Sequence, residues 1–285
     1  RSDANYAALR LRRTASTLYF IESNLGTSMS EDKYQITEKA QYLNLVILKD
    51  ELQNFDTLLS EVIKDSEVWL SKLRATRGVF LTLNNVKDAA DRVRIQGSTE
   101  FTLSTRALRK KLVFANHFRN RGIGHLNDTL LKRAAQWSPQ IFYELSKDNI
   151  SYKLIESHRA IIESCINSYV DKDGRQKVFD TEIDLMYPPD AKQFYTYLST
   201  LVNESIDWLD EASKIIFFCI DHHSDEQIHE LAAIAGQTNF DLKAESEFSY
   251  SIEEHRINFA EAMKALEEHE TDPKILKFMR EKFEI

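Results

Sequence analysis

The chain has 285 residues, 42% of them hydrophobic, and a formal net charge of −8 at pH 7. That length and apolar share suffice for a large core and exclude a disordered chain, and the acidic balance excludes nonspecific nucleic-acid binding by the whole surface. With only 7 Gly and 4 Pro to interrupt it, the sequence favours long helices over the many turns of an all-β fold, so the expected class is all-α, a multi-helix bundle with a C-terminal helical extension.

Residues from about Ala4 to Asn24 are predicted as a first helix ending near Gly26, with Ser28 or Ser30 placed to cap the next. In that second helix Leu45, Leu48, Leu52, Phe55, Leu59 and Val62 recur at alternating spacings of three and four, which puts them on one stripe. Asp65 or Ser66 opens a third helix that carries Trp69, Leu73, Phe80 and Leu83 and runs to about Ile95. Gly97-Ser98-Thr99 breaks the chain. A fourth helix from about Ser104 to Asn120 turns Leu108, Leu112, Ala115 and Phe118 inward, and Gly122 and Gly124 end it.

Asn127 and Asp128 are placed to cap a short segment that reaches Trp137, and Ser138-Pro139 has the cap and first-turn arrangement that opens another helix. A long helix is expected from about Asn149 to Tyr169, followed by a loop at Asp171-Lys172-Asp173-Gly174. Pro188-Pro189-Asp190, with Gln193 three positions on, has the form of a capping box. The helix it opens keeps Phe194, Leu198, Leu201, Ser205, Trp208, Ala212, Ile215 and Cys219 on one stripe. Three regions follow: a bundle over 1–170, a linker over 171–189, and an acidic helical region over 190–285 packed on the bundle. The last 65 residues of that region carry 16 acidic and 7 basic side chains.

Cys165 and Cys219 both sit in apolar helical patterns and read as small buried hydrophobes of a reducing compartment. The longest apolar run, Ile215 to Ile220, is far shorter than the roughly 20 residues of a membrane span. Arg10, Arg12 and Arg13 are not followed by an apolar core with a cleavage site. The expectation is a cytoplasmic protein with no membrane association.

Charge is unevenly placed. Residues 101–135 hold Arg106, Arg109, Lys110, Lys111, Arg119, Arg121, Lys132 and Arg133 against Asp128 alone, a net of +7, which leaves −15 for the rest. A basic island in an acidic chain points to a localised anionic ligand, although solvation of an exposed helix face accounts for the same residues. Within the island lies Phe118-Arg119-Asn120-Arg121-Gly122-Ile123-Gly124-His125. An arginine supplies a fixed cation for a phosphate, an amide orients, and an imidazole transfers protons near neutral pH. On a continuous helix Arg119 and His125 would point about 240° apart. The two glycines are expected to let the chain fold His125 back beside Arg119.

Arg119, the polar Asn120 and His125 after five intervening residues resemble the arginine, polar residue and spaced histidine of the HEPN superfamily. The wording of the segment, with Leu126-Asn127-Asp128 after the histidine, is similar to HEPN proteins of bacterial phage-defence and toxin–antitoxin systems. The resemblance is sharp over about fifteen residues and rests on helix pattern alone across residues 30 to 170. It implies an HEPN-like bundle and a metal-independent endoribonuclease needing no cofactor. Two subunits of such a homodimer join their motifs in one cleft on RNA, and an antitoxin or regulatory protein restrains them.

Carried over position by position, the resemblance gives His125 the proton transfer at the ribose 2′-hydroxyl, Arg119 the phosphorus oxygens, and Asn120 the orientation of either. The products would be a 2′,3′-cyclic phosphate and a 5′-hydroxyl. Arg121 is the candidate second phosphate contact, with Arg109, Lys110, Lys111, Lys132 and Arg133 as further RNA-binding candidates.

Alternatives stay open. A non-catalytic helical module that binds RNA, a nucleotide or a protein through the same surface fits the same residues. Arg119 paired with an acidic residue and His125 acting as a cap would be purely structural. His117 is expected to line the groove or face water, and His158, between Ile155 and Ile162, to be a hydrogen-bonded core histidine. Asp221, His222, His223, Glu226, His229 and Glu230 include three- and four-residue spacings that suit a metal, but they lack the HExxH order of a zinc protease. Polar side chains solvated on an exposed helix face are the favoured account of that cluster, and no metal is assigned.

Overall fold

The computed structural model describes residues 35–95, 98–124, 126–236, 238, 240–241 and, further on, 263–264, 267–268, 273–274 and 276–277. The expected helix over Ala4–Asn24, with its caps at Ser28 or Ser30, and residue His125 lie outside the described residues. Among those described there is no β-sheet, only an isolated bridge between Val170 and Gln176, and the architecture is an all-α multi-helix bundle. The chain divides into two compact units, with the break after Ile220.

In the first unit, α1 (Ile36–Ser60) buries Leu45, Leu48, Leu52 and Leu59. Val62, expected on the same stripe, falls beyond the helix end and is 73% exposed. Helix α2 (Ser66–Arg92) is capped by Asp65, whose carboxylate accepts the Val68 N–H at 2.9 Å, and it lies against α1. Helix α3 (Thr99–Lys111) begins five residues before the expected Ser104, because the Ser98 hydroxyl accepts the Phe101 N–H at 3.2 Å and caps it there. After Leu112 the chain re-enters a helix as α4 (Val113–Phe118).

Phe118 anchors α4. Its ring stacks on Phe80 of α2 with centroids 4.0 Å apart and meets Phe114 edge-on, inside an aromatic group that also takes in Phe179 and Phe194. Helix α5 (Asp128–Trp137) starts at Asn127, whose side chain accepts the Leu130 N–H. Ser138-Pro139 opens only a short 3₁₀ turn, Pro139–Phe142, since the Ser138 hydroxyl accepts from Arg159 instead of capping. Helix α6 (Ile150–Asn167) is capped by Asn149 and packs on α2 and α5.

Helix α7 (Pro188–Cys219) has 32 residues, about 48 Å at 1.5 Å per residue, and lies along α1. Lys49 and Asp210 tie the two at 2.5 Å, and the Trp208 indole donates to Thr105 of α3 at 2.9 Å. The expected capping box at its start is absent: Asp190 accepts the Asp184 N–H and so fastens the preceding loop. Nor is 171–189 a linker. Phe179, Ile183 and Leu185 are buried in the core, and Asn167 grips Ile183 by both its N–H and its carbonyl. The helix expected to open the C-terminal acidic region therefore belongs to the first unit.

A buried ion cluster joins these pieces. Arg159 of α6 donates to Glu163 at 2.7 Å, to Glu156 at 2.6 Å and to the Ser138 hydroxyl at 3.3 Å. Glu163 also accepts the Trp137 indole N–H at 2.6 Å and the Leu185 N–H at 2.8 Å, while Gln140 donates to Glu156. One guanidinium thus pins the end of α5, the 3₁₀ turn and the loop before α7 onto α6. The two carboxylates hold the Arg159 pKa above its usual value, against the effect of burial.

In the second unit, α8 (Asp225–Ala235) opens on a capping box the sequence reading did not single out. The Ser224 hydroxyl accepts the Gln227 N–H at 3.4 Å, and the Gln227 side chain accepts the Ser224 N–H at 3.0 Å.

Replacing Arg159 with Met strands two buried carboxylates beside each other, and we expect it to cost roughly 3–5 kcal/mol in urea unfolding. A loss below about 1 kcal/mol would show that the cluster does not organise the loop and turn.

Candidate functional site

The segment that carries the motif leaves α4 without breaking. Arg119–Ile123 form a single π-helical turn in which the Gly124 N–H donates to the Arg119 carbonyl, five residues back, at 2.8 Å. The expectation that Gly122 and Gly124 bend the backbone through angles closed to other residues is corrected here. Gly124 sits at φ −65° and ψ −39°, and among the described residues Gly174 is the glycine with positive φ.

Gly122 is required for a different reason. A Cβ placed on it would come within 2.2 Å of the Cys165 sulfur on α6. The turn lies that close to α6, so only a residue without a side chain fits. Its carbonyl is held from the other side by the Arg77 guanidinium of α2 at 3.0 Å. Contact with one helix and a hydrogen bond to another seat the turn.

Seated this way, the turn presents Arg119, Asn120 and Arg121 as exposed side chains. Arg119 Nη1 donates to the Asn120 side-chain carbonyl at 3.0 Å, and Asn120 Nδ2 donates to the Asn116 side-chain carbonyl at 3.2 Å. The amides form a short relay that orients the guanidinium. Among the described residues no carboxylate lies within ion-pair distance of Arg119 or Arg121, so the structural alternative of an Arg119 ion pair is not met there. His125, the third member of the motif, is outside the described residues.

The rest of the basic island divides. Lys110 is exposed, with no carboxylate at ion-pair distance among the described residues. Arg109 pairs with Asp91, Lys111 with Glu204 at 2.5 Å and Lys132 with Asp128 at 2.6 Å, while Arg133 donates to Gln136 at 3.3 Å. The Lys111 and Lys132 pairs are solvent-exposed and weakly held, which leaves those cations open to competition by a stronger anion, whereas Arg109 meets a half-buried carboxylate.

His117 neither faces a groove nor floats in water. It is half-buried, its Nε2 donates to the Cys165 carbonyl at 3.2 Å, and its ring lies 4.8 Å from that of Tyr169. Burial and the positive charge of Arg121 lower its pKa to about 4, so it is neutral at pH 7. The adjoining Cys165 thiol is pushed up to about 12 by burial, which makes it inert packing, as expected from sequence. Cys219 is only partly buried.

Two residues acquire roles that the sequence did not disclose. Arg77 lies 45 positions from the carbonyl it holds, and nothing local marks it. His158 is only half-buried, and its Nδ1 has no hydrogen-bond partner among the described residues, so it is not the satisfied core histidine expected. Among the described residues, no group of three or more His, Cys, Asp or Glu is arranged to hold a metal. No helix there is long and apolar enough to cross a membrane. Comparison with known proteins finds no matching family model, curated protein or solved structure.

Ala in place of Gly122 is expected to destabilise the protein by about 1–3 kcal/mol through overpacking on Cys165. Cys165→Ala in the same chain should recover part of that loss, and strict additivity of the two changes would contradict the contact. Because the folded pKa of His117 lies below its unfolded value, its contribution to stability is complete above about pH 6.5 and is lost as pH falls toward 4. Denaturation at pH 7 and pH 5 should differ by roughly 1–2 kcal/mol from this group, allowing for solvent screening, and His117→Gln should reduce the difference.

Proposed function

We propose that the chain is an HEPN-type, metal-independent endoribonuclease with a role in phage defence or as the toxin of a toxin–antitoxin pair. The observation that carries this reading is the Arg119 guanidinium: exposed, oriented by Asn120, and free of a carboxylate partner among the described residues on the most basic stretch of an acidic chain. A fixed, uncompensated cation at a seated turn suits a phosphate.

In the proposed reaction His125 takes the proton of a ribose 2′-hydroxyl, and the resulting oxygen attacks the adjacent phosphorus. Arg119 stabilises the negative charge that builds on the phosphoryl oxygens, and Asn120 keeps the guanidinium in register. The P–O5′ bond breaks and the 5′-oxygen leaves as a hydroxyl after gaining a proton, so the other fragment ends in a 2′,3′-cyclic phosphate. Arg121 and Lys110 hold flanking phosphates, and Arg109, Lys111, Lys132 and Arg133 join them by exchanging their surface partners. The chain acts as a homodimer that apposes two such turns, and a separate antitoxin or regulatory protein restrains it.

The test is incubation with single-stranded RNA in EDTA. Cleavage to 2′,3′-cyclic phosphate ends is expected, with at least a hundred-fold loss in His125→Ala and in Arg119→Ala, and with 2′-deoxy substrates inert. RNA bound but left intact by the wild-type chain would replace this reading with that of a non-catalytic binding module.

A further inference from the structure

Arg77, which holds the Gly122 carbonyl of the turn, also lines an open cavity of about 340 Å³ bordered by α2, α5 and α6. Most of its wall is apolar: Leu131, Ile141, Phe142 and Ile161 contribute, and Leu126 and Phe142 stand at the rim, 50% and 71% exposed. Besides the exposed Ser157, two polar side chains interrupt that wall, Arg77 from α2 and His158 from α6.

Both are incompletely satisfied. Arg77 is half-buried, and its one hydrogen-bond acceptor among the described residues is the neutral Gly122 carbonyl. Its Nε and the His158 Nδ1 are each shut off from solvent with no partner there. No carboxylate lies within ion-pair distance of Arg77 among the described residues. This contrasts with Arg159, the buried guanidinium of α6, which has three: Glu156, Glu163 and Asp184. A half-buried positive charge without a counter-ion is costly, and an anion supplied from outside relieves the cost. The volume falls within the range of small-molecule sites, and an apolar wall around one fixed charge is their usual composition.

We propose that this cavity binds a small amphipathic carboxylate, its head on Arg77 and His158 and its apolar body among Leu131, Ile141, Phe142 and Ile161. The inference does not depend on the ribonuclease reading. A bare phosphate is a poor match because it leaves the apolar wall unfilled, and an uncharged chain is a poor match because it leaves Arg77 uncompensated. Arg74 adds to the local positive field: with Arg77, and after burial itself, it lowers the pKa of His158. Since Arg77 also holds Gly122, the head group sits one residue from the turn that presents Arg119.

The test is titration of the full chain with sodium octanoate, read by NMR of labelled histidine rings, with the His158 signal assigned from His158→Gln. Saturable binding that moves the His158 resonance is expected, with 1-octanol and inorganic phosphate each at least ten-fold weaker. Arg77→Gln keeps an amide to hold the Gly122 carbonyl but removes the charge, and should weaken octanoate at least ten-fold. Ala135→Trp, a change at an exposed position on the cavity wall, should block octanoate while leaving thermal unfolding unchanged. Equal affinity for octanoate and octanol, or octanoate binding unaffected by Arg77→Gln and Ala135→Trp, would overturn the proposal. So would a His158 signal that octanoate does not move.

Discussion

The arrangement of the candidate site rests on the approach of Gly122 to Cys165. Helix α4 is fixed by aromatic stacking of Phe118 on Phe80, and α6 by its packing on α2, so the segment between them has to pass over α6 at a distance that leaves no room for a Cβ. A regular α-helical continuation would hold position 122 to a 3.6-residue repeat. The single π turn inserts an extra residue into the ladder, seating Gly122 against the sulfur while Arg119, Asn120 and Arg121 remain outside. Arg77 closes the arrangement by taking the Gly122 carbonyl, a group the altered ladder would otherwise leave poorly paired. Presentation of the guanidinium is thus a consequence of packing two helices away.

Electrostatics follow from the same geometry. The basic island is dense in sequence, yet in space Asp91, Glu204 and Asp128 hold three of its members, and the cations without such partners among the described residues include Arg119, Arg121 and Lys110. Positive charge is therefore concentrated at the turn. It acts inward as well: after burial itself, Arg121 lowers the pKa of His117, and Arg77 and Arg74 lower that of His158. His117 is thus an uncharged packing group beside the turn, and the arginines are the fixed charges of the region.

What was legible in the sequence was what depends on local pattern. Asp65, Asn127 and Asn149 cap helices because a short polar side chain before an apolar stripe reaches its own backbone, whatever else the chain does. The inward stripe of Leu108, Leu112, Ala115 and Phe118 likewise reads directly, and all four are buried. Cap signals failed where a distant partner competed: Arg159 takes the Ser138 hydroxyl and the Asp184 N–H takes Asp190. Glu156, Arg159 and Glu163 have the spacing of surface helix pairs, and only the loop that folds over them makes them a buried cluster. The motif itself was visible as residue types. The reason for its glycine was not, because Cys165 lies 43 positions away and no local rule connects them.

The proposed role of Arg119 is that of a phosphate-binding cation presented by a packed turn. A crystal structure of the chain with a non-cleavable 2′-O-methyl oligoribonucleotide tests this most directly. A backbone phosphate is expected within hydrogen-bond distance of the Arg119 guanidinium, with Asn120 still joined to it and Gly122 still against Cys165. An oligonucleotide bound elsewhere on the chain, with Arg119 turned to a carboxylate, would contradict that role.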